Sequence, residues 1–218
     1  MHSIANQRRH HNLTGVSCDG IVCNSNPPKK IFNQVPYLRY STPIGIYGHK
    51  LTDEEIYHIA NEDGLLSHPS PCCIGAVTCY SLAIAHLIHN PGDRRGAFGR
   101  AKLWVESQGQ QMADVVGWLT DAENNVAVTY YPAPGWVKIG FTHAFRHLLL
   151  GTSYLDALKE TLAGGTKSNL CPFTTDLVTA GGDTDTNACI VGGLIGACER
   201  VDAIPSGLRK AVESCDTR

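Results

Sequence analysis

Apolar residues recur along most of this chain at spacings of three and four, the period of a helix with one side turned inward. The first such stretch follows Thr52-Asp53-Glu54-Glu55, which reads as a capping box. The Thr hydroxyl caps the first turn, Glu55 reaches back, and the acids suit the positive helix end. Ile56, Ile59, Ala60 and the pair Leu65-Leu66 make its apolar stripe, and Ser67-His68-Pro69-Ser70-Pro71 ends it. A second helix is predicted from about Cys72 to Ile88, with Val77, Leu82, Ile84, Ala85 and Ile88 inward, stopping at Asn90-Pro91-Gly92. Asp93 restarts helix through roughly Leu119, and Asn124-Asn125 opens a loop. Val126 to Tyr131 alternates too weakly for a strand to be preferred. Trp136 to Leu150 carries Ile139, Ala144, Leu148 and Leu149 at helical spacing, and Ser153 caps Tyr154 to Leu162. Asp185 to Cys198 and Ser206 to Glu213 form the last pair, split by Ile204-Pro205. The pattern predicts an all-α fold, a compact bundle of antiparallel helices with short connections.

The start of the chain breaks this pattern. Residues 1 to 30 set Arg8, Arg9, Lys29 and Lys30 against one acid, Asp19, with no period of 3.6 or 2 and no apolar stretch for secretion. Residues 1–33 are therefore expected to be a disordered or non-homologous tail, ahead of a helical domain over 34–218. Charge narrows the functions available. With 18 Lys+Arg against 20 Asp+Glu the net charge is −2, so there is no basic field to coat nucleic acid or an acidic membrane. Hydrophobic residues make up 43%, enough for a substantial core. The longest small-and-apolar run, Ala188 to Cys198, is about half the ~20 residues of a bilayer span, which argues against a membrane protein. The nine cysteines are an odd set without a C-x-x-C pair. They are read as reduced, structural thiols of a cytoplasmic protein.

Chemistry concentrates in Gly181-Gly182-Asp183-Thr184-Asp185-Thr186. Two carboxylates two residues apart, with a hydroxyl beside the second, make a cluster of hard oxygen ligands. Behind them Ala188, Gly192, Gly196 and Gly193, Ala197 place small residues at i, i+4. The helix can thus pack backbone-close to its neighbours and form a rigid platform. The same residues have a plainer use, because Asp and Thr favour helix starts and an N-cap role at Asp185, ahead of Asn187 to Cys198, accounts for them equally. Among the histidines, His86 and His89 stand at i, i+3 and His143 and His147 at i, i+4. Neither pair brackets the glutamate of a metalloprotease helix, and Trp118 and Trp136 read as core aromatics.

Gly181 to Ala197, followed by Asp202-Ala203-Ile204-Pro205, resembles the C-terminal metal motif of the ADP-ribosylglycohydrolase family. Leu66-Ser67-His68-Pro69 before a helix, Gly135-Trp136-Val137 opening another, and the Ser153 to Thr161 helix occur in the family's order, so the likeness covers about Tyr37 to Ser214. The resemblance implies an all-α hydrolase with a dinuclear Mg2+ or Mn2+ site that removes ADP-ribose from a protein or a small ADP-ribose derivative. Asp183, Asp185 and Thr186 match the family's metal ligands, and His68 matches a histidine near its ligand cleft, a candidate substrate contact. No general acid or base is assigned.

The chain also departs from the family pattern. A G-D-x-x-G segment with a downstream glutamate and a Thr-Asp-Asp cluster are absent, and Thr52-Asp53-Glu54 is a helix cap rather than a substitute. The glycine-rich loop that in the family precedes a Met-Arg pair and faces the diphosphate is replaced by Gln34-Val35-Pro36-Tyr37, with an offset Leu38-Arg39. Residues 165–180 intervene before the metal loop and read as an inserted loop. The expectation is therefore hydrolase ancestry with half a metal site on this chain, as a truncated product, a split protein with an N-terminal partner half, or a degenerate pseudoenzyme. The alternative is an inactive truncated remnant that serves as an ADP-ribose-binding or helical interaction module.

Overall fold

The computed structural model describes residues 38–126, 128, 135–163 and 183–215. Among the described residues there are nine α-helices and no strand. They are α1 (Thr42–Tyr47), α2 (Asp53–Ser67), α3 (Pro71–His89), α4 (Arg94–Ser107), α5 (Ala113–Glu123), α6 (Val137–Leu150), α7 (Tyr154–Leu162), α8 (Thr184–Glu199) and α9 (Ser206–Glu213). The all-α expectation holds. The tail at 1–33, the loop at 165–180 and most of 126–131 lie outside the described residues.

The bundle is organised around α3. Pro71 at the first helical position sets the backbone angle where no hydrogen-bond donor is needed, and every residue from Cys72 to Ala85 is buried. Helices α1, α2, α4, α5, α6 and α8 all pack on it. A helix walled on all sides must be apolar all round, so α3 is long and apolar enough by composition to cross a membrane, although 83% of that window is buried inside the protein. This corrects the reading of Ala188 to Cys198 as the longest apolar run. Helices α6 and α8 form the next layer, with α7 against α8 and α5 against α6.

Local signals placed most helix ends. Thr52 accepts from Glu55 N at 3.3 Å while Glu55 Oε2 accepts from Thr52 N at 2.8 Å, so the capping box is complete. Asp93 caps α4 through Gly96 N at 2.9 Å, and Ser153 caps α7 through Asp156 N at 3.2 Å. The expected single helix from Asp93 to Leu119 is instead two. Gly109 at φ 76° ends α4, because this left-handed backbone is strained for any residue with a Cβ, and a 3₁₀ turn at Gln110–Met112 redirects the chain into α5. Leu65 and Leu66 are also corrected, at 58% and 84% exposed. The inward line of α2 is Ile56, Ala60 and Gly64, four residues apart, and the leucines lie one and two steps around the helix from it. Ile88, expected inward, sits exposed in the last turn of α3.

Two close approaches lock α8 in place. A methyl group on Gly193 would collide with the Tyr80 hydroxyl, which donates to Ile190 O at 2.9 Å; Gly192 and Gly196 lie against the Tyr154 ring. At its far end Glu199 receives Arg94 Nη2 at 2.7 Å and Tyr154 N at 2.9 Å, while Arg94 Nη1 reaches Leu148 O at 3.3 Å. One carboxylate therefore joins the start of α4, the end of α6 and the start of α7. The predicted small-residue platform is a rigid one.

Candidate metal site at the start of α8

Helix α8 begins one residue earlier than the acid pattern suggested, so Asp183 occupies the N-cap and Asp185 and Thr186 fall in the first turn. An aspartate there normally accepts a backbone N–H with its side chain. Asp183 does not: its carboxylate makes no cap bond. Oδ1 accepts the Thr186 hydroxyl at 2.6 Å, and Oδ2 is buried without a hydrogen-bond partner among the described residues. The plain capping account therefore leaves one charged oxygen unexplained, and a buried carboxylate oxygen without a partner is costly.

The three predicted ligands are only partly gathered. Thr186 is buried and bonded to Asp183, whereas Asp185 is exposed beside them on the first turn. The donors are hard oxygens and one has no hydrogen-bond partner among the described residues, a donor set of the kind a hard divalent cation takes. Among the described residues no three His, Cys, Asp or Glu side chains converge on a common point, so the protein oxygens come from one helical turn. Gly181 and Gly182 lie outside the described residues.

His68 closes α2 as its C-cap, with its N–H on Gly64 O at 2.7 Å and Nδ1 2.9 Å from the Ser67 hydroxyl. The other histidine pairs have separate local partners. His86 meets Asp93 at 2.7 Å and His89 meets His49 O at 2.7 Å. His143 and His147 stack in the interior of α6, and burial pulls the His143 imidazole down to about 4. Trp118 is buried and meets the half-buried Trp136 edge-on, as expected of core aromatics.

Two residues of this region are not assigned to it by the sequence, although Arg39 stands in the offset Leu38-Arg39 pair. Arg39 Nη1 lies 3.4 Å from Thr186 Oγ1, across a sequence separation no local pattern reveals. Its guanidinium sits over the Tyr40 ring, and Nη2 donates to the Tyr40 hydroxyl at 2.7 Å. That bond first, then the charges of Tyr40, Cys189 and, least, Asp183, hold Arg39 above its ordinary value against the opposing effect of burial. Asn187, one residue past Thr186, is fully buried with neither amide atom bonded among the described residues. The nearest signal was its place in the motif, but burial of an amide is not readable from spacing. Cys189, exposed one turn beyond Asp185, has its thiol pushed up mainly by burial and then by Asp185, with Arg39 pulling it down.

An all-α body that carries carboxylates and a hydroxyl on the first turn of a small-residue helix is a scaffold suited to oxygen-ligated ions. The family model for ADP-ribosylglycohydrolase matches residues 17–218, so the chain belongs to the ADP-ribosylglycohydrolase family. The match begins within 1–33 and runs through 165–180. No curated protein and no solved structure gives a significant match.

Proposed function

We propose that this ADP-ribosylglycohydrolase-like hydrolase is a metal-dependent enzyme that cleaves an ADP-ribosyl glycosidic bond, with Mg2+ or Mn2+ held at Asp183, Asp185 and Thr186. One observation carries the reading: the N-cap carboxylate of α8 does no capping and keeps a buried oxygen without a partner among the described residues. When bound, the ions supply Lewis-acid polarisation and a template for vicinal ribose hydroxyls. Asp183 and Thr186 act as a preset pair, since the 2.6 Å bond between them fixes both side chains before any ligand arrives. Asp185, exposed beside them, adds charge on the open side. The helix start itself favours the carboxylates that the ion needs. His68, at the end of α2, is proposed as a contact to the ADP-ribosyl group. The substrates are an ADP-ribosylated protein or a small ADP-ribose derivative, and the reducing, cytoplasmic setting is supported by Cys79 and Cys198 as buried free thiols.

The test is release of ADP-ribose from ADP-ribosylated protein by the full chain with Mg2+ or Mn2+. Turnover that needs the metal and disappears in Asp183→Ala is the expected result. A second reading, an ADP-ribose-binding module without turnover, is favoured by the single-turn origin of the described donors. Metal-independent ADP-ribose binding with no turnover would establish it and overturn the first.

A further inference from the structure

The guanidinium of Arg39 stands beside Thr186, one of the three residues proposed to hold the metal. The arm that carries it is well anchored. Leu38 is fully buried, the Ser41 hydroxyl donates to Leu38 O at 2.6 Å, and the Thr42 hydroxyl meets that of Tyr80 at 3.3 Å, which itself holds Ile190 O. The backbone is thus keyed to α8. The head group is not held so firmly: its bond to Thr186 is 3.4 Å against 2.7 Å to Tyr40, and its buried Nε has no partner among the described residues. Thr186 gives its one proton to Asp183 and turns a lone pair toward Arg39. A metal ion would draw on the oxygens of this same pair, and its positive charge would repel the guanidinium. Arg39 is half-buried rather than enclosed, so it has room to leave.

We propose that Arg39 is a tethered cation that holds the Asp183–Thr186 pair in the metal-free protein, so that the guanidinium and a divalent ion exclude one another there. The proposal rests on the metal reading above. It makes Arg39 a positioning residue: through its contact with Thr186 it keeps that hydroxyl's rotamer toward Asp183 while no ion is present, and it sets the metal concentration at which the site fills. Tyr40 is the berth, since its ring and hydroxyl retain the head group whichever way the exchange runs.

The experiment measures Mn2+ binding by the free-ion EPR signal in the full chain, in Arg39→Gln, in Arg39→Lys and in Asp183→Asn. Arg39→Gln should bind Mn2+ roughly tenfold more tightly than the unaltered chain, and Arg39→Lys, which keeps the charge, should stay near it. Equal or weaker binding by Arg39→Gln, with Asp183→Asn still impaired, would overturn the tethered cation and leave the metal site standing. No binding at millimolar Mn2+ by either the unaltered chain or a folded Arg39→Gln would overturn both. Should Arg39→Gln not fold, the unaltered chain labelled with 15N-arginine decides the matter. The Arg39 Nε–H resonance, identified by its loss in Arg39→Lys, should shift as Mg2+ saturates the site, and an unmoved resonance would end the proposal.

Discussion

The two ends of α8 are built on opposite principles. At Glu199 both carboxylate oxygens are taken, one by Arg94 and one by the Tyr154 backbone, and Arg94 has a further bond to Leu148 O. At Asp183 one oxygen meets a neighbouring hydroxyl and the other meets nothing described, while Asn187 is buried with its amide unbonded among the described residues and Arg39 reaches Thr186 only at 3.4 Å. The same helix thus has a finished end and an unfinished one. Holding one end fully bonded lets the other keep unmet polar groups without fraying, which is how a rigid element presents reactive oxygens to a ligand.

The sharpest way to break this contrast is to remove the unfinished carboxylate. Asp183→Ala should lower metal-dependent ADP-ribose release by about a hundredfold or more, yet shift the stability from denaturant unfolding by less than the ~1 kcal/mol usual for a lost cap, because no cap bond exists to lose. A large stability loss with activity retained would invert the assignment of the two ends.

Helix α6, against which α8 packs, offers a pH handle that touches neither end. His143 is held down to about 4 by burial, so between pH 6.5 and about 4 the unfolded chain takes up a proton that the native chain refuses. Stability should therefore fall as pH drops through that window, by up to about 3 kcal/mol from this residue, and level off below it. His147 is lowered by burial as well and adds in the same direction. His143→Gln should flatten the profile of urea midpoints between pH 7 and pH 4.5.

At the finished end Glu199→Gln should cost about 2 kcal/mol, since it leaves the partly buried Arg94 without its ion pair, measured as a lower urea midpoint. The smallest effect has the opposite sign. Asn187→Leu replaces an amide with no described partner by an apolar side chain of similar size and should stabilise the fold by about 1 kcal/mol. Destabilisation by Asn187→Leu would show that the amide is bonded after all and would erase half of the contrast.

Most of the helices were legible because periodicity and caps are local. Thr52 with Glu55, Ser153 with Asp156 and Pro71 at a first turn all state their structure within four residues. Errors came where tertiary geometry decides. Leu65 and Leu66 look like a stripe, but the inward direction of α2 is set by how Ile56 and Ala60 meet α3. Gly109 looks tolerable inside a helix until its left-handed backbone is seen. The site was half legible for the same reason. Asp183 and Thr186 belong to one turn and could be paired on paper, whereas Arg39 arrives from the other end of the chain and Asn187 matters through burial alone.

The core helix α3 has a consequence for how the protein is made. On the ribosome its apolar residues emerge well before α6 and α8, two of the walls that cover them, and α8 is complete only at Glu199. Throughout that interval the nascent chain displays an apolar rod that other chains would find sticky. Yield in a cell should thus depend on chaperone occupancy of this segment during synthesis, independently of how stable the finished bundle is.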